Sequence, residues 1–381
     1  MEFDLTPDQQ SLQKAAIDFA RAELSGDMIQ RDAERTFSHD GWKKCAAFGV
    51  QGLPIPEEFG GGGSDPITTI AVMEGLGYGS PDAGLLFSIN AHMWTNSIPL
   101  VIYGTSEQKQ KYLPGLCDGS LIGANGASEP NAGSDVFSMR TRVTKEGSDY
   151  ILDGTKTFVT NAPVADLFAV YGTLDPKLGA TGICGFIIEK GTPGLSVGKK
   201  MDKMGLRTSP MSELVMENCR VPGAALLGRE GRGAEVFSCS MAWERSCILA
   251  TCVGTMRRQL ERCIDYVRTR KQFGQAIGKF QSVANRIIDM KLRYETARLM
   301  IYRVGWLMQK NKAADMDAAM IKLYVSEAFV KSCFDAVQIH GGSGFMTELE
   351  FERELRDSVG STLYSGTTEI QRNIIARGLR I

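Results

Sequence analysis

A glutamate on an apolar helical face is the first feature of this chain that could do chemistry. In MAWERSCILA, residues 241–250, the positions three and four away from Glu244 are Ser240, Met241, Cys247 and Ile248. A carboxylate aimed into such a face is costly to bury unless it has a partner or a use. Desolvation there would raise its pKa and make it a stronger base. Most helix glutamates are solvated surface charges, so the plain alternative is an exposed residue without a role. Glu129, which precedes a proline, is expected to brace its loop, and Glu369 lies in TLYSGTTEIQR, residues 362–372. In that segment Ser365 has no partner base, and a serine alone cannot take a proton. The three histidines (His39, His92, His340) are far apart in sequence, so no metal site is expected. Nine dispersed cysteines without a C-x-x-C pair read as small buried hydrophobes in a reducing compartment.

The elements that must position these residues fall into three textures. Up to about residue 118 the chain reads as helical. TPDQQSLQKAAIDFARAEL opens with Thr6 as cap, Pro7 at the first helical position and Gln9 closing a capping box. SPDAGLLFSINAHM repeats that opening at Ser80, and Thr105 caps a further helix that Pro114 is expected to end. Between them, four consecutive glycines in IPEEFGGGGSD lack the Lys-Ser/Thr ending of a phosphate loop and read as a surface turn. Residues 119–228 read as a β-barrel-like domain. DYILDGTKTFVT is expected to form two short strands around an Asp-Gly turn, followed by LFAVYGTL, GICGFIIEK and SELVMENCRVP. Residues 229–381 return to helix. Leu249, Val253, Met256, Leu260, Cys263 and Val267 form one apolar stripe, and Val283, Ile287, Met290, Tyr294, Ala297 and Ile301 a second. A third segment ends in glycines suited to a helix C-cap, and the whole suggests a bundle.

Bulk properties exclude several classes of function. The chain has 381 residues, 43% hydrophobic and 23% charged, with net charge −1, which gives no sign of a nucleic-acid or polyanion binder. The opening MEFDLTPDQQ has neither a basic nor an apolar leader region, and no apolar run reaches the ~20 residues of a membrane span. A cytoplasmic protein is expected.

Four segments, in order, resemble the signatures of acyl-CoA dehydrogenases. GASEPNAGSD (126–135) is similar to their Thr/Ser-Glu-Pro…Gly-Ser-Asp motif, and KTFVTN (156–161) to their Lys-x-Trp-Ile-Thr-Asn strand. TRKQFGQAIGKFQ (269–281) resembles the Arg-x-x-Phe-Gly…Gln segment, and QIHGGSGF with RELRD and LYSGTTEIQR (338–372) the C-terminal signature. The resemblance implies an α+β fold with an N-terminal helical domain, a middle β domain and a C-terminal four-helix bundle. It also implies FAD. Around the flavin it places Asn125, Ala127, Ser128, Gly133 and Ser134, with Phe158 as the ring-covering wall followed by Val159 and Thr160. It has Arg270 and Phe273 reach a cofactor's diphosphate from a neighbouring subunit, with Gln281, Gln338, Gly341 and Gly342 around the same dinucleotide and Gln272 also at the cofactor, and the family's shared cofactor sites imply a homotetramer. Thr367 and Glu369 are placed near the same cofactor, and Ser134, Arg245, Tyr364 and Gly366 near the substrate.

The family's common ending has glutamate where this chain has Ser365. One branch, which includes isovaleryl- and long-chain acyl-CoA dehydrogenases, carries its base in a Glu-Arg pair on the first bundle helix, matched here by Glu244 and Arg245. The resemblance thus makes Glu244 the catalytic base and leaves Ser365 its backbone N–H, which would stabilise the thioester's developing enolate. Within the family the chain resembles the flavin enzymes that oxidise prolyl groups on acyl- or peptidyl-carrier proteins, such as those of cyanobacterial alkaloid pathways. The expected reaction yields a dehydroprolyl (pyrroline-type) thioester, with oxygen or an electron-transfer flavoprotein as the electron acceptor. Alternatives are a branched short-chain acyl-CoA dehydrogenase, a non-catalytic flavin or thioester binder, and a flavin monooxygenase.

Overall fold

The computed structural model describes residues 4–312 and 314–381, so the first three residues of the N-terminal segment lie outside the described residues. Among the described residues seven α-helices come first: α1 (Pro7–Glu23), α2 (Met28–Glu34), α3 (His39–Ala47), α4 (Pro66–Gly79), α5 (Ala83–His92), α6 (Ile98–Tyr103) and α7 (Ser106–Cys117). Thr6 caps α1 with the full reciprocal box to Gln9, as its sequence requires. At α5 the cap is Asp82 rather than Ser80. Asp82 Oδ1 accepts from Leu85 N–H at 2.9 Å, while Ser80 ends α4 and its hydroxyl accepts from Asp82 N–H. Pro114 lies inside α7 instead of ending it. One turn from the C-terminus, its carbonyl still accepts from Asp118 N–H, so only a single bond of the ladder is lost.

The middle segment forms an eight-stranded sheet: β1 (Gly123–Gly126), β2 (Arg142–Glu146), β3 (Asp149–Thr160), β4 (Leu167–Thr173), β5 (Ile183–Glu189), β6 (Leu195–Val197), β7 (Met211–Val221) and β8 (Leu226–Leu227). The order is β6-β7-β3-β2-β4-β5-β8, with β1 parallel to β4 off that path. The sequence DYILDGTKTFVT is one strand, β3, and not two around a turn. Asp153-Gly154 makes a bulge against β7, shifting the register between Leu152 and Gly154. Gly154 is required there, because a Cβ would lie 2.6 Å from the Thr141 hydroxyl. A second register shift between Lys156 and Val159 re-aims the strand at Phe158.

The C-terminal part contains α8 (Gly233–Cys247), α9 (Ala250–Thr269), the short hairpin β9 (Lys271–Gln272) and β10 (Gln275–Ala276), α10 (Gln281–Gln309), α11 (Asp315–His340), α12 (Gly342–Phe345), α13 (Phe351–Gly360) and α14 (Thr368–Leu379). The α9 stripe is wholly buried, and in α10 Met290, Tyr294, Ala297 and Ile301 are buried with it. One apolar core runs from α4 and α5 through α8, α9 and α11, and a second fills the β domain. Both helical parts therefore grip α8 and α9. Gly77 and Gly254 allow this, since a Cβ on either would strike backbone of the facing helix at 2.0 Å.

Candidate active site

Helix α8 carries Glu244 between three parts of the molecule. Gly233 at its start lies against β5, where a Cβ would meet Cys184 backbone at 2.5 Å. Trp243 stacks on Trp94 of the π-helical turn Met93–Ser97, with ring centroids 6.2 Å apart. The inner face predicted from the heptad-like spacing is buried: Ser240, Met241, Cys247 and Ile248, together with Glu244 at 6% exposure.

The C-terminal loop closes over this glutamate. Ser365 Oγ donates to Glu244 Oε1 at 2.7 Å. Ser365 has a left-handed backbone, φ 57°, which points its carbonyl back to α8 and α14. That carbonyl accepts from Arg245 Nε at 3.0 Å and from Gln371 Nε2 at 3.1 Å, and Gln371 also donates to Gly366 O at 2.8 Å. The Ser365 N–H has no acceptor among the described residues, so it is free for an oxyanion. Lys322 on α11 is buried, donates to Ser361 O at 2.6 Å and lies 5.5 Å from the Tyr364 ring centroid. Tyr364 packs on Phe87 of α5 beside a cavity of about 20 Å³, room for about one water. Phe87, Asn90, Ile248, Cys252 and Asp357 share its wall.

Electrostatics at this point oppose one another. Burial pushes the Glu244 carboxyl above its usual pKa, while the Ser365 hydroxyl and the charges of Arg245 and Lys322 pull it down and only partly offset that rise. Burial lowers Lys322 to about 8. A carboxylate held in this way is a stronger base than a solvated one and remains ionisable because two cations stand near it.

The face expected to hold a flavin is built by β1 and β3. Phe158 stands 65% exposed with φ 56°, an aromatic ring held away from the core by the β3 irregularity. Val159 is fully buried in the β-domain core, so only its backbone can meet a ligand. Ser128 and Thr160 are half-buried, and Thr157 N–H donates to Ser128 O at 2.9 Å, tying the two motifs together. Asn125 Oδ1 is buried without a partner among the described residues, an orphan that a ring-edge or ribityl donor would satisfy. Glu129 does brace its loop. It accepts from the backbone N–H groups of Arg140 and Thr141, the Thr141 hydroxyl and Lys156 Nζ at 2.8 Å. Burial opposes its ionisation, but Lys156 and these donors hold its pKa below the usual value. Gly133 and Ser134 lie exposed on the following loop.

A second cluster sits at the end of the bundle. Tyr266 of α9 stacks on His340 of α11 at 4.2 Å, which sets the C-termini of both helices side by side. There Arg270 caps α9, and Phe273, 93% exposed, tips the β9–β10 hairpin with Gln272. Gln281 opens α10, Gln338 lies in the last turn of α11 with Gly341 as its cap, and Gly342 opens α12, all exposed. A Cβ on either glycine would meet nothing within 4 Å, leaving bare backbone towards solvent. No hydrogen bond joins this cluster to Glu244 among the described residues. The Thr367 hydroxyl accepts from Ile370 N–H as the cap of α14, and Glu369 is exposed on its first turn.

Sequence reasoning missed Lys322, Gln371 and the Ser365 side chain. Lys322 carried the same signal as Glu244, a lone charge among Ala318, Ala319, Val325 and Ser326. Nothing in spacing announces that Gln371 reaches back to a turn five and six residues earlier.

Three family models cover nearly the whole chain: acyl-CoA dehydrogenase N-terminal domain over residues 6–120, middle domain over 124–219 and C-terminal domain over 231–380. The chain belongs to the acyl-CoA dehydrogenase family. It is 44% identical over 379 residues to an L-prolyl-[peptidyl-carrier protein] dehydrogenase of Serratia sp., covering 100% of this chain and 98% of that one. A protein of the same description from Pseudomonas fluorescens is 43% identical over 348 residues, covering 91% and 92%. Among solved structures, the prolyl acyl carrier protein oxidase AnaB superposes with TM-score 0.98 at 50% identity, covering 99% of this chain and 100% of that one. PigA with FAD and proline superposes with TM-score 0.98 at 44% identity, covering 100% and 99%. This acyl-CoA dehydrogenase-family chain is thus a dehydrogenase enzyme by descent. No helix among its described residues is long and apolar enough to cross a membrane.

Proposed function

We propose that this enzyme oxidises a prolyl group held as a thioester on an acyl- or peptidyl-carrier protein. FAD is its cofactor, in keeping with the family and with the FAD complexes of its structural relative. The observation that carries the reading is the buried Glu244 facing the Ser365 loop, in a chain whose near relatives act on prolyl carrier proteins. Glu244 takes the Cα proton of the prolyl thioester, and the thioester oxygen receives the free N–H of Ser365 as negative charge develops on it. The electron pair left at Cα would form the new double bond to the adjacent ring carbon or nitrogen as that atom releases hydride, and FAD, when bound, would supply the two-electron acceptor, so that the product is a dehydroprolyl, pyrroline-type thioester. Arg245 and Gln371 hold the Ser365 loop at that oxygen, and Tyr364, Gly366 and Ser134 border the substrate. Phe158 walls the ring face, and Ser128, Thr160 and Asn125 offer polar groups to the ring edge. Arg270, Phe273, Gln281 and the Gln338–Gly342 end serve a neighbouring subunit's cofactor, which makes the working form a homotetramer. The electron acceptor is oxygen or an electron-transfer flavoprotein.

An anaerobic absorbance titration with prolyl-loaded carrier protein, with isovaleryl-CoA as comparison, tests this. Bleaching of the flavin band by the prolyl carrier alone is expected. Bleaching by the CoA ester alone would place the enzyme in ordinary acyl-CoA metabolism.

A further inference from the structure

Glu244 is buried, and the hydrogen-bond donor to its carboxylate among the described residues is the Ser365 hydroxyl, 2.7 Å from Oε1. That hydroxyl is fixed from behind. The Ser365 carbonyl is held by Arg245 and Gln371, and Gln371 holds Gly366 as well. Ser365 also has φ 57°, a conformation that glycine adopts freely and serine only at a cost. A side chain kept at such a position, with its oxygen on the base, has a use that a bare turn would not supply.

We infer that the Ser365 side chain is a positioning residue for the base: its O–H holds Oε1 of Glu244 and leaves Oε2 as the oxygen free to take the substrate proton. The inference rests on Glu244 being the base. One residue therefore serves both ends of the proton transfer, with its N–H at the thioester oxygen and its O–H at the carboxylate. This couples the angle of the base to the position of the developing enolate, because both donors belong to one clamped turn. The hydroxyl also sets when the base is ionised. The groups that face Glu244 are Arg245 on its own helix, Lys322 on α11 and Tyr364 with Ser365 on the loop. Arg245 and Lys322 act through charge alone, whereas Ser365 donates directly to the anion. Removing the hydroxyl leaves burial less opposed, so the carboxyl must titrate at higher pH.

Two variants test this, Ser365→Gly and Ser365→Ala, the first also relieving the backbone and both keeping the N–H. One readout is the infrared titration of the Glu244 carboxyl band, identified by its loss in Glu244→Gln. The other is the pH profile of anaerobic flavin reduction by prolyl-loaded carrier protein. Both variants are expected to move the infrared midpoint and the rising limb upward by about one pH unit, the scale of one lost hydrogen bond to a carboxylate. Below the midpoint the reduction rate then falls about tenfold, while flavin content stays at the wild-type level. A midpoint and limb unmoved in both variants overturns the inference, even if stability or flavin content drops, since that pattern is a purely structural turn. Turnover retained in Glu244→Gln instead overturns the base assignment, and the infrared shift still reports on the contact itself.

Discussion

Burial raises the pKa of the Glu244 carboxyl, which would make Glu244 a stronger base in the proposed reaction and also a cost to stability. Its carboxyl titrates above the usual value in the folded chain and at the ordinary value when unfolded. Between those two the folded state binds more protons, so stability falls as pH rises through that window and stays lower above it. Glu244→Gln is therefore expected to raise the melting temperature at pH values above the folded midpoint while it abolishes turnover; a lower melting temperature there would show that the charge is stabilising. The sequence disclosed this residue because a lone carboxylate on an apolar helical stripe is visible as spacing. It did not disclose the Ser365 hydroxyl as its partner, because that contact spans 121 residues and depends on a left-handed backbone that serine does not advertise.

Among the elements, α5 and β1 hold the face proposed for the flavin through a buried histidine. His92 at the end of α5 accepts from Gly123 N–H at Nδ1 and bonds Leu116 O through Nε2, both at 2.9 Å. With Nδ1 accepting, the proton sits on Nε2 and the ring is neutral. Burial accordingly lowers its pKa from 6.5 to about 4. The unfolded chain binds this proton first, so the contribution is complete above about pH 6.5 and is lost as pH falls towards 4. Its size is on the order of 3 kcal/mol by linkage. His92→Gln, which can keep both hydrogen bonds, should flatten the stability profile between those pH values in urea unfolding; an unchanged slope would remove His92 as the cause. Strand and helix types were legible from periodicity here, whereas the reading of Asp153-Gly154 as a hairpin turn failed. The same dipeptide makes a bulge where the strand is long enough to continue pairing with β7. Pro114 misled for a related reason, since its cost is small within one turn of a helix end.

For the whole molecule, the expected cofactor residues fall on two sets of elements: β1 and β3, and the ends of α9 and α11 with the β9–β10 hairpin, where Phe273 is almost fully in solvent. In the proposed homotetramer, a second copy of the chain supplies the bundle-end set to the flavin face of the first. The outward positions of α10 support such packing, with Ile288, Leu292 and Leu299 each more than half exposed on one helix. Sedimentation is expected to give a tetramer, and Arg270→Ala to weaken FAD binding by about tenfold or more with Glu244 chemistry intact in flavin-saturated protein. Full FAD affinity in that variant, or a stable flavin-loaded monomer, would contradict a shared site. The order of helical, β and helical parts was readable from composition and motif order alone. How the copies meet was not, because a surface stripe does not name its partner.

Anaerobic rapid mixing can show whether Glu244 takes the Cα proton of a carrier-bound prolyl group. Flavin bleaching would be followed with prolyl carrier protein bearing hydrogen or deuterium at Cα, in the wild type and in Glu244→Gln. With Glu244 as the base, bleaching slows with deuterium in the wild type, and the variant keeps bound flavin that bleaches about a hundredfold to ten-thousandfold more slowly. Bleaching at the wild-type rate in Glu244→Gln would contradict that role.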